Sequence, residues 1–477
     1  MTAEEALEVI QRVLDKESLN KIQDIVFREC WERRSYQEIA TSYGYEVGYI
    51  RDVGYKLWNL LSNKFGNKIN KNKLHLVLKQ HDIMMCKAEQ TSSTSIDEWQ
   101  RAQKIVPNLL TVQRNQDNQR QDWGDAVDVS SFYGRAVELT TLKQWIIHDR
   151  CRLIALLGMV GIGKTTLAMS IAEQLQDEFE YVFWRSLRNA LPIEDFLTDI
   201  ILFLFERQEL DIPKTLEDQM SYLIKFLRQH RCLLVLDNIE SIFCSNELAG
   251  RYRSGYELYG QLLRRLGDEH HQSCVILTSR EKPVGFKAKE GKTLPVRSLY
   301  LSNLQLEAAQ EILKVKGLVD TEDEIRKLVE YCAGNPLALK ISATTIQDLF
   351  DGNINRFLEQ GTVVFGDIWE VLDRQFNRLS TLEKQIMCLL ASDRKQLTLA
   401  ELQEYIVPIV PYRNLLEALE SLQQRSVIKR NLTSFTQHPM ITDYINEQQL
   451  FKAKTGAGDE IAEIVEYNMQ LLQGREE

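Results

Sequence analysis

Residues 151–166 have the sequence CRLIALLGMVGIGKTT, and this stretch decides the fold of the chain. The apolar run Leu153–Leu157 predicts a buried strand, and apolar residues at helical spacing follow Lys164. Between them lies the pattern G-x-x-x-x-G-K-T, whose glycines let backbone N–H groups approach a chain of phosphates. This order of strand, glycine-rich turn and helix is typical of a P-loop, so the sequence predicts a nucleotide-binding protein.

The P-loop pattern suggests a task for each of its polar residues. Lys164 is expected to reach the β- and γ-phosphates of ATP, and the Thr165 hydroxyl to hold Mg²⁺. The glycine backbone and the helix N-terminus would surround the phosphates of ATP or ADP. The residues expected to contact the nucleotide in this stretch are Gly158, Gly161, Gly163, Lys164, Thr165 and Thr166.

The composition is that of an ordinary globular protein. The 477 residues are 44% hydrophobic and 26% charged, a length that suggests about three domains. The formal net charge of −10 gives the whole chain no bias toward nucleic acid or anionic membrane, although it could conceal a locally basic domain. No apolar stretch reaches the roughly 18 residues that span a bilayer. None of the eight cysteines forms a C-x-x-C pair and no secretory signal opens the chain, so we expect reduced thiols and a cytoplasmic protein.

The first eighty residues predict an all-α helix-turn-helix domain. Apolar spacing predicts four helices, over 3–14, 19–32, 35–44 and 47–61. Ser35 and Glu38 have the spacing of a capping box that opens the short third helix, which stops near Gly44. A short helix, a glycine-containing turn and a longer helix make a helix-turn-helix.

The ligand of this domain stays open between DNA and a signalling protein. The stretch resembles the helix-turn-helix of sigma-factor region 4 and of LuxR-type regulators, and more closely the one that precedes cyanobacterial signalling ATPases. Four residues of the last helix could contact DNA: Arg51, Tyr55, Lys56 and Asn59. Residues 1–80 hold 13 basic and 11 acidic side chains, a net charge of +2, which favours protein docking over DNA binding.

The next 51 residues, 81–131, are expected to be a partly ordered linker. Hydrophobic periodicity fades there, and residues 113–121 read QRNQDNQRQ, which cannot bury a core. Trp99 and Trp123 are exceptions that we expect to dock on a neighbouring domain.

A second motif, Phe132-Tyr133-Gly134-Arg135, precedes the P-loop strand. Together with the P-loop, it resembles the NB-ARC branch of the STAND signalling ATPases, over residues 122–447. The resemblance implies an α/β P-loop NTPase fold with an AAA+-like parallel sheet, followed by a helical domain and a winged helix. It also implies that the backbone at Phe132 and Tyr133 contacts adenine.

Three more buried strands follow the P-loop helix, over 181–184, 232–237 and 274–280. The second ends in Asp237, which in the Walker B arrangement would hold Mg²⁺ through water. The third brings Arg280 to the carboxyl edge of the sheet, where open α/β sheets bind ligands. The resemblance implies that Arg280 senses the γ-phosphate, whereas an arginine at a strand end is more often part of a surface ion pair. The expected catalytic residues are Lys164, Asp237 and Arg280.

One position departs from the family pattern. Many family members carry a second acid after the Walker B aspartate, and here that residue is Asn238, which cannot take a proton. Glu240, two residues further on, is a candidate substitute for this acid, although a carboxylate at that spacing points differently. We therefore expect a slow ATPase that acts mainly as an ADP/ATP switch.

The sequence Gly334-Asn335-Pro336-Leu337-Ala338 resembles the Gly-x-Pro-Leu-Ala motif of the NB-ARC helical domain. The resemblance implies that Pro336 packs on adenine; a helix stop followed by a helix start is the plainer interpretation.

The winged helix is predicted from three helices and two strands, over 380–390, 398–406, 414–424, 427–429 and 434–436. His438 occupies the place of the histidine that, in the family, touches the β-phosphate of ADP, although the residues on either side differ from the family's Met-His-Asp. A lone histidine is more often structural, so both interpretations stay open.

The predicted domains are a helix-turn-helix domain 1–80, a linker 81–131, a P-loop domain 132–298, a helical domain 299–374, a winged helix 375–447 and a helical tail 448–477. The leading hypothesis is an ATP/ADP-operated signalling switch that opens and self-associates when ATP replaces ADP. The alternative is a transcriptional regulator whose helix-turn-helix binds DNA under control of the ATPase. The expected partners are further copies of this chain and a signalling protein on the helix-turn-helix, with DNA as the alternative and no membrane.

Overall fold

The structure is a computed structural model. It describes residues 120–127, 129, 132–204, 213–318, 321–361, 364–392 and 396–455, together with two helices and scattered positions between residues 6 and 61. The chain divides into two compact units, 1–114 and 115–477.

The N-terminal unit is helical, as predicted. Its described helices are α1, Lys21–Trp31, and α2, Tyr36–Tyr43. Residues at helical spacing on α1 bury one face, and isolated helical positions before and after it join the same core. That core contains Ala6, Leu7, Ile10, Val26, Phe27, Cys30, Trp31, Ile39, Ile50, Leu57 and Leu61. The capping-box side chains and the predicted DNA-contacting residues lie outside the described ones.

The second unit is built on a six-stranded parallel sheet with the order β1-β3-β4-β5-β2-β6. Its strands are β1 Arg120–Asp122, β2 Leu153–Leu157, β3 Tyr181–Ser186, β4 Cys232–Asp237, β5 Cys274–Ser279 and β6 Val296–Tyr300. Every residue of β2, β4 and β5 is buried, because these inner strands have helices on both faces. This explains why their sequences are unbroken apolar runs.

Helices cover the two faces of this sheet. They are α3 Ala136–Lys143, α4 Lys164–Leu175, α5 Ile193–Leu204, α6 Leu216–Gln229 and α7 Glu257–Asp268, and a π-helical turn continues α3. Alternate residues of each strand point to opposite faces. Ile154 packs with α3 and α4, whereas Leu153 packs with α5, α6 and α7. The turn after β2 therefore opens at the carboxyl edge of a sheet held rigid from both sides.

The remainder of the unit is a helical bundle that continues into a winged helix. The bundle has α8 Leu306–Val315, α9 Glu322–Tyr331, α10 Pro336–Phe350, α11 Ile354–Leu358 and α12 Gly366–Phe376. The winged helix has α13 Thr381–Ser392, β7 Leu397–Thr398, α14 Leu399–Tyr405, α15 Tyr412–Gln424, β8 Ile428–Asn431, β9 Ser434–Gln437 and α16 Pro439–Thr455. Its small sheet has the order β7-β9-β8 and is antiparallel. One continuous core joins bundle and winged helix, so the predicted order of folds is confirmed.

The structure differs from the expectations at the edges. The strand β1 lies within the predicted linker 81–131 and pairs with β3, and the adjoining Trp123 packs against the core of the α/β part. The strand β6 crosses the predicted boundary between 298 and 299, and α16 crosses the one between 447 and 448. Edge strands are exposed on one side, so they lack the long apolar run by which the inner strands were found. Within the described residues, no helix has both the length and the apolar character needed to cross a bilayer.

Candidate nucleotide-binding site

The P-loop lies between β2 and α4, at the carboxyl edge of the sheet. Gly163 precedes the first residue of α4 with a φ of 97°, and a Cβ atom built on it would meet nothing within 4 Å. The space on that side of Gly163 is therefore open, next to a helix N-terminus whose first N–H groups have no partner within the helix. This is the geometry that favours an anion.

Lys164 is buried against the loop that precedes it. Its ammonium donates hydrogen bonds to the carbonyl oxygens of Gly158, at 2.9 Å, and Met159, at 3.0 Å. Burial lowers the pKa of Lys164 from 10.5 to about 8, while the carboxylates of Glu240 and Asp237 act to raise it. The site therefore holds a cation that has lost most of its water, which strengthens its attraction for phosphate.

Asp237 ends β4 beside the first turn of α4. Its Oδ1 accepts hydrogen bonds from the Thr165 hydroxyl, at 2.7 Å, and from the Thr278 hydroxyl, at 2.6 Å. A hydroxyl and a carboxylate are hard oxygen donors, and Mg²⁺ in P-loop sites is bound by such donors together with phosphates and water. Thr165 and Asp237 therefore fit a Mg²⁺–nucleotide, with Thr278 orienting the aspartate.

Asn238 turns the chain immediately after Asp237. It has a φ of 63°, a left-handed conformation that asparagine tolerates better than most residues. Its side-chain amide donates to the Ser241 hydroxyl at 2.5 Å, and its backbone N–H donates to Thr278. Asn238 therefore starts a short 3₁₀ turn instead of presenting an acid.

That turn brings Glu240 back toward the site. Its side chain is buried, and its Oε1 lies 3.0 Å from Nε of Arg280, which follows β5. Burial lowers the pKa of Arg280, and the nearby Glu240 carboxylate acts to raise it. Arg280 thus lies at the predicted edge of the sheet, and in this structure its partner is an acid of the same site.

The helical bundle touches the P-loop through the start of α10. Asn335 Nδ2 donates to the carbonyl oxygen of Val160 at 3.0 Å, while its Oδ1 accepts from the backbone N–H groups of Leu337 and Ala338. Gly161 is required here, because a Cβ atom on it would lie 2.5 Å from Cβ of Leu337. Pro336, predicted to pack on adenine, is the first residue of this helix, one position from the P-loop contact.

The aromatic motif before α3 reaches the same loop from the other side. Arg135 is buried, and its guanidinium donates to the carbonyl oxygen of Ile162 at 3.0 Å and to Glu138 at 2.7 Å. Phe132 packs against the core of the sheet, whereas Tyr133 packs against the core of the helical bundle. The two residues predicted to contact adenine therefore lie where the α/β part meets the helical bundle.

The comparisons agree with this geometry. Residues 136–324 match the model of the NB-ARC domain. The chain carries an NB-ARC domain. The match begins at the first residue of α3 and includes the P-loop, Asp237 and Arg280. Residues 1–81 match a second model, described as the vWA-MoxR associated protein N-terminal HTH, which confirms the predicted helix-turn-helix.

Two curated relatives each match more than half of this chain. The chain is 50% identical over 337 residues to an uncharacterized WD repeat-containing protein of Nostoc sp. (strain PCC 7120), which covers 68% of this chain and 27% of the relative. It is 25% identical over 268 residues to the disease resistance-like protein DSC1 of Arabidopsis thaliana, covering 53% of this chain and 20% of the relative. The aligned stretches thus span only about a quarter of the length of these relatives.

Solved structures similar to this chain include two archaeal ATPases. The Walker-type ATPase of Pyrococcus abyssi has 16% identity and a TM-score of 0.45, covering 66% of this chain and 96% of that one. A STAND protein with a tetratricopeptide repeat sensor from Pyrococcus horikoshii has 17% identity and a TM-score of 0.36. The match covers 74% of this chain and 47% of that one.

His438 is the winged-helix residue predicted to sense ADP. It precedes α16, and its Nε2 lies 3.2 Å from Nδ2 of Asn303, in the loop between β6 and α8. Since an amide nitrogen can only donate, Nε2 accepts, and the proton of the neutral ring is on Nδ1. That Nδ1 is buried and has no hydrogen-bond partner among the described residues. The structure thus links His438 to the NB-ARC domain through Asn303, and its contact with a phosphate stays a prediction.

A buried cluster of charges also joins the winged helix to the NB-ARC domain. We call it the Glu281 cluster; its members are Glu281, Arg378, Glu383 and Arg425. Glu281 Oε1 accepts from Arg425 Nη1 at 2.6 Å and from Arg378 Nε at 2.9 Å. Arg425 Nε also donates to Glu383 at 3.2 Å. All four side chains are largely buried, so removing one leaves the buried charges of the cluster incompletely compensated.

Several of these residues escaped the sequence analysis. Thr278 had a signal, because it is a polar residue within an otherwise apolar strand, and Asn335 had one, because it precedes a proline at a helix start. The Glu281 cluster had none. Its members come from segments as far apart as positions 281 and 425, and only the folded chain brings them together.

We predict that Asn335→Ala and Asn335→Asp separate the two tasks of Asn335. Aspartate keeps the oxygen that caps α10 but cannot donate to Val160, so only the P-loop contact is lost; alanine loses both, at a cost of about 1 kcal/mol for the cap. Hydrogen exchange should quicken in P-loop peptides of both variants, and at the start of α10 in Asn335→Ala alone. Unchanged P-loop exchange in Asn335→Asp would contradict this assignment.

We predict that lowering the pH destabilises the second unit, 115–477, by protonating His438. Burial, together with the nearby charge of Lys429, lowers the pKa of His438 from 6.5 to about 4. The stability that neutral His438 contributes is therefore complete above its ordinary pKa and is lost as pH falls from 6.5 toward 4, by up to about 1.4 kcal/mol per pH unit.

Denaturant unfolding of the full chain between pH 7 and pH 4 measures this loss. His438→Gln, which cannot titrate, should flatten the profile, whereas the exposed His148→Gln should not. A His438→Gln profile as steep as that of the wild type would rule the histidine out as the cause.

Proposed function

We propose that the chain is an ATP/ADP-operated signalling switch. In its closed state, ADP is held between the P-loop, the start of α10 and the winged helix. Exchange for ATP releases the winged helix, and the opened chain associates with further copies of itself. A nucleotide can drive such a change only through contacts that differ between the two states.

In this proposal each residue of the candidate site has a contact with the nucleotide or with Mg²⁺. Lys164 and the P-loop backbone bind the phosphates, Thr165 and Asp237 hold Mg²⁺, and Arg280 contacts the γ-phosphate. Phe132, Tyr133 and Pro336 surround adenine, and His438 donates from Nδ1 to ADP. The bound Mg²⁺ would neutralise charge on the phosphates.

Hydrolysis is slow in this proposal. Asn238 has no titratable group, and its amide is engaged by Ser241. With no acid directly after Asp237, the bound nucleotide persists, and the protein acts as a switch more than as a catalyst.

One observation supports the proposed link between the bound nucleotide and the release of the winged helix. Arg280 and Glu281 are consecutive residues at the end of β5; Arg280 faces Glu240 at the nucleotide site, and Glu281 binds Arg378 and Arg425 of the winged-helix side. The carbonyl oxygen of Glu240 also accepts from Arg378 at 3.0 Å. A movement of Arg280 toward a phosphate therefore disturbs the residue that holds the winged helix.

Each of the two units has its own partner in this proposal. The opened NB-ARC unit associates with other copies of the chain, and the helix-turn-helix docks a signalling protein. The small net charge of residues 1–80 favours a protein over DNA as the ligand of the helix-turn-helix. The family model that matches this domain is named after vWA-MoxR associated proteins. We place the switch in the cytoplasm, because the seven described cysteines are free thiols.

Lys164→Ala tests the nucleotide site. It removes the only side chain of the P-loop that carries charge, so we expect ADP binding to weaken at least about a hundredfold. Titration of full-length protein with a fluorescent ADP measures this, and Lys225→Ala, on the exposed side of α6, is the control. Wild-type protein that neither retains nor binds ADP would refute the proposed function.

Arg425→Ala tests the closed state. It leaves Glu383 buried without its cation and Glu281 with Arg378 alone, at a cost of roughly 3–5 kcal/mol, and should release the winged helix. The matched control is Lys287→Ala, since Lys287 and Glu420 form an exposed ion pair across the same interface, worth roughly 0–1 kcal/mol.

Light scattering with an ATP analogue gives the mass of each variant, and spin labels on β6 and α15 give the separation of the two parts. Arg425→Ala should open and associate without an activator, and Lys287→Ala should not. A closed monomeric Arg425→Ala protein would argue against the Glu281 cluster as the restraint.

A further inference from the structure

We infer that Glu240 sets the preference of the site for ADP over ATP, by acting as a built-in anion for the cations that a third phosphate would need. The inference rests on the proposed function and extends it to a residue with no assigned role. It makes Glu240 a specificity-determining residue.

The backbone holds Glu240 in place before any nucleotide arrives. The left-handed turn at Asn238 and the 3₁₀ turn Ile239–Ile242 direct its side chain into the sheet edge, where 5% of the residue is exposed. Its carbonyl oxygen is also fixed, by Arg378. The carboxylate therefore cannot retreat into solvent by a simple rotation.

The two oxygens of Glu240 have different surroundings. Oε1 lies 3.0 Å from Nε of Arg280, whereas Oε2 is buried and has no hydrogen-bond partner among the described residues. A buried carboxylate oxygen without a donor is costly, and such groups are rare unless they have a functional reason. Only one of the two Glu240 oxygens therefore has a cation beside it.

Glu240 also acts on Lys164. Among the carboxylates that raise the pKa of Lys164, that of Glu240 has the larger effect, ahead of Asp237. One acid thus balances two cations, Lys164 and Arg280, which are the side chains expected to meet the γ-phosphate. When ADP is bound there is no γ-phosphate, so Glu240 remains the counter-charge of both cations.

With ATP bound, the balance changes. Arg280 exchanges the Glu240 carboxylate for the γ-phosphate, and Glu240 is left buried, without its cation and beside additional negative charge. Like charges in a site of low polarity repel strongly. The ATP state therefore carries an electrostatic cost that the ADP state does not.

The test compares two affinities in the full-length protein. Dissociation constants of ADP and of a non-hydrolysable ATP analogue, both with Mg²⁺, are measured by calorimetry for the wild type, E240Q and E240D. The ratio of the analogue constant to the ADP constant should fall about tenfold or more in E240Q, mainly because the analogue binds more tightly. E240D keeps the charge and should stay near the wild-type ratio.

The control is E247Q, which removes one negative charge and one exposed arginine pair from the same segment and should leave the ratio unchanged. If E240Q does not fold, R280Q is compared with the E240Q/R280Q double variant, in which positions 240 and 280 are both uncharged; the ratio should be lower in the double variant.

Each outcome decides one question. A wild type that binds neither nucleotide refutes the proposed function. Nucleotide binding with the same ratio in wild type and E240Q overturns the inference alone. An unchanged ratio with slower ATP hydrolysis in E240Q would also overturn it, and would assign Glu240 to the positioning of the attacking water.

Discussion

The structure depends on the compensation of buried charge at the carboxyl edge of the sheet. Two neighbouring residues after β5, Arg280 and Glu281, carry opposite charges and face different parts of the molecule. Arg280 is balanced by Glu240, and Glu281 by the arginines of the winged-helix side. Because buried ions are stable only with their partners, these ion pairs are the basis on which we propose that the nucleotide side and the winged-helix side change together.

Backbone carbonyls of the P-loop provide a second set of restraints. Lys164 binds the carbonyl oxygens of Gly158 and Met159, Asn335 binds that of Val160, and Arg135 binds that of Ile162. Three different parts of the chain thus shape one short loop before a ligand is present. A preorganised anion site costs less to fill, because its groups are already oriented. The same contacts make the loop sensitive to the position of the helical bundle.

The pattern of apolar residues predicted the inner strands well. β2, β4 and β5 are buried on both faces, so their sequences had to be continuous apolar runs. The edge strand β1 has the sequence Arg-Gln-Asp, which resembles a loop, because neighbouring backbone and not apolar burial holds it in the sheet. Element types thus followed from periodicity, and the boundaries at the sheet edges did not.

By itself, the sequence determined the P-loop, the identities of Lys164, Thr165 and Asp237, and the order of the folds, because each rests on a local pattern of residue types. It also determined that Asn238 cannot serve as an acid. Only the tertiary structure decided that Asn238 turns Glu240 onto Arg280, that Asn335 holds the P-loop, and that Glu281 meets Arg425. The physical reason is that the partner of a buried polar group is whichever group the fold brings within hydrogen-bond distance, and residues distant in sequence carry no sign of that meeting.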